Sequence, residues 1–140
     1  MRRNFLYLLF AIAVLTGCSK NVPLSGHVTF SDNGESLTVG TVVFVNGVNQ
    51  SRGEIQADGT YILGFENEKN GLPSATYNVY IDNANRYEGG ELDEKGIPKG
   101  EQKIIPLIHE KFTKAETSGL RVEVNNSLKK YDIKVERPSR

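Results

Sequence analysis

A single cysteine among 140 residues excludes an intramolecular disulfide, so packing alone must hold whatever core this chain builds. Tryptophan is absent and there are only two histidines, His27 and His109. The missing tryptophan removes the commonest aromatic platform for a sugar and leaves tyrosines such as Tyr80 and Tyr87 as candidates. The scarcity of histidine, with no second thiol, leaves a dedicated zinc site short of ligands. No metal and no cofactor is therefore expected. Charge of one sign is lacking too: 17 Lys and Arg balance 17 Asp and Glu, which gives nucleic acid no basic footprint. Apolar residues make up 38% of the chain, and the 14 glycines bring it into the range of ordinary folded proteins. One domain with one modest core is the expectation.

The longest apolar run lies at the very start. Arg2 and Arg3 precede an uninterrupted stretch from Phe5 to Val14, the charge and length pattern of a secretory signal and too short to span a bilayer comfortably. Leu15-Thr16-Gly17-Cys18 follows directly and resembles the bacterial lipobox, in which the cysteine is acylated on sulfur and the peptide is cut before it. The resemblance implies that residues 1–17 are a lipoprotein signal peptide and that Cys18 is the lipidation site. Two or more acyl chains anchor a protein stably, where one does so only marginally. Ser19, in place of an aspartate, is the type of residue that such lipoproteins carry when they are passed to the outer membrane. Residues 18–23 would be a short tether, since five extended residues reach only about 17 Å.

From Leu24 onward, short β segments alternate with Gly, Asn and Asp clusters, and no amphipathic helical run appears. Val28 and Phe30 share a face, and the β-branched run Thr41 to Val45 ends at the turn dipeptide Asn46-Gly47. Ser51 to Gln56 and Thr60 to Phe65 flank Ala57-Asp58-Gly59 as a hairpin, with Ile55, Tyr61 and Leu63 inward. Tyr77, Val79 and Ile81 alternate with outward Tyr80, while Leu120, Val122 and Val124, then Tyr131, Ile133 and Val135, give the clearest period-two pattern in the chain. These residues, with Val42 and Phe44, are the expected core. About seven strands at this spacing predict an all-β sandwich over residues 24–136.

The alternation fails between Asn83 and Pro106, where Gly89-Gly90, Gly96 and Gly100 mix with Glu88, Glu91, Asp93 and Glu94. Residues 83–106 read as a long loop, the sort of segment where binding residues concentrate. Tyr80, Tyr87, Glu88 and Glu91 are the candidate partner contacts. The carboxylates match no EF-hand spacing, so a solvated acidic loop is the reading preferred over a calcium site.

The run Gly53-Glu54-Ile55-Gln56-Ala57-Asp58-Gly59-Thr60-Tyr61-Ile62-Leu63, followed by Tyr77-Asn78-Val79-Tyr80-Ile81, resembles carboxypeptidase regulatory-like modules of transthyretin-like, prealbumin-type Greek-key topology. The stretch Ile108 to Leu120, with Thr117-Ser118-Gly119-Leu120 at its end, is similar to a segment found in a subset of them, small secreted lipoproteins of the planctomycete type. His109 stands where that subset has proline, and Ala75 where glycine is common before the tyrosine. The resemblance implies a membrane-anchored accessory, binding or structural module of the cell envelope, meeting an envelope protein or a glycan.

Two other functional classes compete with this reading. A hydrolase on a transthyretin-like scaffold would need a nucleophile, a histidine and an acid in one place; no G-x-S-x-G elbow is present. The related hydroxyisourate hydrolases end in Tyr-Arg-Gly-Ser, whereas this chain ends Arg137-Pro138-Ser139-Arg140. A surface carbohydrate-binding module would have to rely on the tyrosines. The expected protein is exported and lipid-anchored, and is not an enzyme.

Overall fold

The protein was described with a computed structural model covering residues 21–47, 49–64 and 71–139. Cys18, Ser19 and the expected signal peptide lie outside the described residues, as does Phe65. Among the described residues, seven of the eleven strands form the two sheets of a sandwich. One holds β1 (Leu24–Phe30), β4 (Thr60–Leu63) and β11 (Ile133–Val135), in the order β11-β1-β4. The other holds β2 (Thr41–Val45), β3 (Gln50–Glu54), β5 (Ala75–Asp82) and β10 (Leu120–Val124), in the order β10-β5-β2-β3. The chain is thus an all-β sandwich with the expected number of strands.

The core follows from alternation. Val42, Phe44, Tyr77, Val79, Ile81, Val122 and Val124 point inward from the larger sheet, and Val28, Phe30, Tyr61, Leu63, Ile133 and Val135 meet them from the smaller one; all are buried, as is Ile55 beside β3. Leu120 and Tyr131, also expected inside, are partly buried at the edge of the same cluster. The Phe44 ring is the hub: its centroid lies 6.5 Å from that of Tyr61, 6.2 Å from Tyr77 and 5.9 Å, edge-on, from Tyr131. Each buried tyrosine hydroxyl needs an acceptor. Tyr61 donates to the Tyr131 carbonyl and Tyr77 to that of Pro73. Burial pushes the Tyr61 phenol far above its ordinary range, so it stays a neutral donor.

The hairpin expected across Ala57-Asp58-Gly59 does not form one continuous ladder. β3 and β4 flank the tight Asp58-Gly59 turn, as expected, but belong to different sheets; β3 pairs with β2, and β4 with β1. A bridge between Arg52 and Gly64, together with the Ser51 hydroxyl donating to the Gly64 carbonyl, closes that corner. β10 and β11 separate in the same way, after Asn125 accepts bonds from Ser127 and Leu128 in a side-chain-built turn. β11 then pairs in parallel with β1, with Val28 opposite Ile133 and Phe30 opposite Val135.

Val43 is buried on the outward side of β2, the face where Val45 and Tyr80 share a hollow with residues 113–116 of the segment that follows residue 107. Within it, a 3-10 turn (Glu110–Thr113) packs beside β5 and buries Phe112. Ser118 accepts a bond from the Leu120 amide, and the Thr117 hydroxyl donates to the Lys111 carbonyl. The Thr-Ser-Gly motif is thereby accounted for as a cap on this segment.

Residues 83–106 are not a structureless loop. They carry β6 (Asn85–Glu88), β7 (Glu91–Leu92), β8 (Pro98–Lys99) and β9 (Lys103–Pro106). β6 pairs with β9 and β7 with β8, both antiparallel. The glycine and charge content that obscured the alternation belongs to the bends and faces of a hairpin arm. Gly89 and Gly90, both at positive φ, link the two tiers, and Asp93 closes the tip by accepting bonds from the amides of Lys95 and Ile97 at 2.8 Å each.

Candidate functional site

The described chain enters the sandwich at one end. Val22 exchanges backbone hydrogen bonds with Leu72, and Leu24 pairs with Leu63. β1 then runs its seven residues, about 20 Å of strand, to the opposite end. There Ser31 donates to the Val135 carbonyl, Leu107 to Ala84 and His109 to Glu136. The arm leaves from this second end, after Asn83 reverses the chain at φ 54°. Entry and arm therefore occupy opposite poles of the module.

The arm concentrates exposed apolar surface. Tyr87, Leu92, Ile97 and Ile104 are 61%, 65%, 57% and 58% exposed, and of the other exposed large hydrophobic residues among those described, only the less open Val39 and Ile62 lie elsewhere. Tyr87 and Ile104 are direct cross-strand partners on one face. The charges are also ordered. Glu88 stands opposite Lys103 and Glu91 opposite Lys99, a cross-strand arrangement that favours pairing. Glu88 also forms an ion pair with Arg86 at 2.8 Å.

At the base of the arm is an open hollow of about 340 Å³ lined by Pro106, Ile108, His109, Glu110, Thr113, Pro138 and Ser139. This is at the lower end of volumes that take small molecules. His109 is fixed there twice: its backbone N–H donates to the Glu136 carbonyl at 2.7 Å, and its Nδ1 accepts from the Lys111 amide at 3.2 Å. A proline at this position could make neither bond, so the departure from the lipoprotein segment has a structural consequence. Arg137 fastens the tail further, reaching Asp32 at 2.9 Å and Glu35 at 2.8 Å while stacking 3.9 Å over the Phe30 ring.

Of the sequence-based candidates, Tyr87, Glu88 and Glu91 come together on the arm. Tyr80 does not join them. It sits half-buried on the outer face of β5, opposite Val43, where it lines a separate hollow with Val45 and residues 113–116. The tyrosines thus form no shared platform. Leu92, Ile97 and Ile104 were missed, although the β-branched pair Ile104-Ile105 carried a strand signal. Asp93 is engaged in the tip turn, and the described residues contain no group of three or more His, Cys, Asp or Glu able to hold a metal ion.

His27 is half-buried on β1. Its Nε2 lies 2.8 Å from both the Ser36 hydroxyl and the Asp58 carbonyl. A carbonyl only accepts, so Nε2 carries the proton. The nitrogen that faces the serine is therefore a donor and is not placed as its general base. The ring also packs on Gly59, where an added Cβ would fall 2.7 Å from Nε2. His27 pins the β3–β4 turn to β1.

No helix among the described residues is long and apolar enough to cross a membrane. No family model matches the chain, and no curated protein matches it. Among solved structures, it is similar to BcpA, the major pilin subunit of Bacillus cereus, at 11% identity and a TM-score of 0.46, over 84% of this chain and 30% of the pilin. A 9R-lipoxygenase from Cyanothece gives 12% identity and a TM-score of 0.34, over 86% of this chain and 16% of the enzyme. The chain spans less than a third of either protein, and at these scores the likeness speaks to neither family nor activity.

Proposed function

We propose that this protein is an exported lipoprotein, acylated at Cys18 and held at a membrane, in which a non-catalytic sandwich presents the hairpin arm to a protein or glycan of the cell envelope. The observation that carries the reading is the polarity of the module. The chain enters beside Leu72, and the arm leaves from the far end of β1, beyond Asp82. A tether at the first pole directs the arm away from the lipid surface, toward whatever lies further out. The lipobox-like Leu15-Thr16-Gly17-Cys18 supports anchoring, and Ser19 favours the outer membrane. The similarity to carboxypeptidase regulatory-like modules agrees with an accessory or structural role.

Acylation is tested with labelled fatty acid. Label is expected to enter the wild type and not Cys18→Ala; equal labelling of both removes the anchor from the reading. The arm is tested by replacing residues 86–103 with a short Gly/Ser linker while keeping Ala84 and Leu107, which bond across its base. Because the replaced side chains are mostly exposed, stability measured by thermal unfolding should change by less than about 1 kcal/mol. Proximity labelling from the anchored protein should lose its partner set in the same variant. Unfolding of the variant would make the arm a part of the core, and an unchanged partner set would place the contact elsewhere.

A further inference from the structure

The arm combines three properties that an isolated hairpin does not need. It exposes Tyr87, Leu92, Ile97 and Ile104. It consists of two two-stranded sheets, β6-β9 and β7-β8, which pair with no other strand among the described residues. Its charges are segregated by strand: the outgoing half carries Glu88, Glu91, Asp93 and Glu94 against one Arg86, and the returning half carries Lys95, Lys99 and Lys103 against one Glu101. Two-stranded sheets are marginal in water, and a third strand with an apolar face makes them stable. Unpaired strand edges are templates for such a strand.

From this we infer that the occupant of the arm is a second copy of this chain, paired edge to edge, with the acidic outgoing strand of one copy against the basic returning strand of the next. The inference rests on reading the arm as the contact surface, and it does not depend on acylation. Charge complementarity selects this partner. The pairing rule inside the arm sets Glu88 opposite Lys103 and Glu91 opposite Lys99. An added antiparallel β6 beside β9 repeats the same rule between copies and extends the Tyr87 and Ile104 pair into a continuous apolar stripe. Pairing like edges would instead set carboxylate against carboxylate. Pro106, at the base end of β9, lacks an N–H and confines the added strand to the outer part of the arm. Such an interface joins two different patches, so each copy keeps one free edge and association yields rings or open chains.

The test exchanges the charges, with Glu88→Lys, Glu91→Lys, Lys99→Glu and Lys103→Glu together in the full-length chain. Within the arm every cross-strand pair remains one of opposite sign. Two differently tagged copies are co-expressed, extracted in a nonionic detergent and co-purified. Wild type is expected to capture wild type, and the exchanged variant to capture itself. Mixed capture should fall by about an order of magnitude, because both junctions then oppose like charges. Equal capture in all three combinations overturns the proposal in favour of unselective apolar contact, and absence of capture in all three overturns it outright. Loss of the proximity-labelled partner set on arm replacement, without self-capture, would sink this inference alone and leave the arm as a contact surface for something else. Should the exchanged variant fail to accumulate, the wild type decides by itself: raising the salt concentration should weaken self-capture, and strengthening would overturn the charge-directed edge.

Discussion

Phe44→Ala is expected to lower the free energy of unfolding by about 3–5 kcal/mol. The ring is fully buried on a central strand of the larger sheet, and its neighbours include Tyr61 from the opposite sheet. Truncation therefore opens a void between the sheets. Collapse into that void is limited, because the Tyr61 and Tyr77 hydroxyls are tied to the carbonyls of Tyr131 and Pro73. A site that cannot relax lies at the costly end of the range, against a total stability of about 5–15 kcal/mol for a domain. Denaturant unfolding should show a lower midpoint at an unchanged slope. A loss below about 1 kcal/mol would mean that the two sheets do not meet through this ring.

Gly26→Ala should be almost as damaging, for a different reason. Gly26 lies in β1 opposite Tyr61, and alanine is compatible with extended backbone. Space is what forbids it. An added Cβ would lie 1.9 Å from the Tyr131 carbonyl oxygen and 2.8 Å from Tyr61 Cε1. The carbonyl is backbone and cannot swing aside, and it also accepts the Tyr61 hydroxyl. Displacing it adds overpacking strain to a lost buried hydrogen bond, together about 3 kcal/mol. In a domain of this size the melting temperature should fall by about 10 °C. Tyr61→Phe, which removes the bond without the clash, should cost about 1 kcal/mol. Equal losses in the two variants would show that the bond alone is being measured.

Strand phase was readable because alternation is local. Val28 and Phe30, or Val122 and Val124, point inward as the period of two requires, and the Asp-Gly turn after Ala57 sits where expected. Sheet membership was not readable, since nothing within Thr60 to Leu63 states that it pairs with β1 in place of β3. The parallel partnership of β11 joins residues more than a hundred positions apart and left no local trace. Val22, Leu37, Leu72 and Ile108 are buried but lie outside the alternating runs, and only the folded chain brings a covering surface to them. On the arm, the cluster around Tyr87 was legible as exposed and polar. Its order was not, because glycines at the bends break the arm into short segments, and the adjacent Ile104 and Ile105 show no period of two.

The placement of β1 has a mechanical consequence. A force applied between the chain entry and the arm enters at Leu24 and is directed along β1, which is bonded on one side to β4 and on the other to β11. The bonds of both ladders run across the strand, so such a load shears many of them at once and does not peel them one after another. Tension along the line from tether to arm therefore meets the stiffest direction of the module. A pull that separates β10 from β5 at the sheet edge would open their ladder bond by bond, at a lower force. Single-molecule extension along the two axes should rank them in that order.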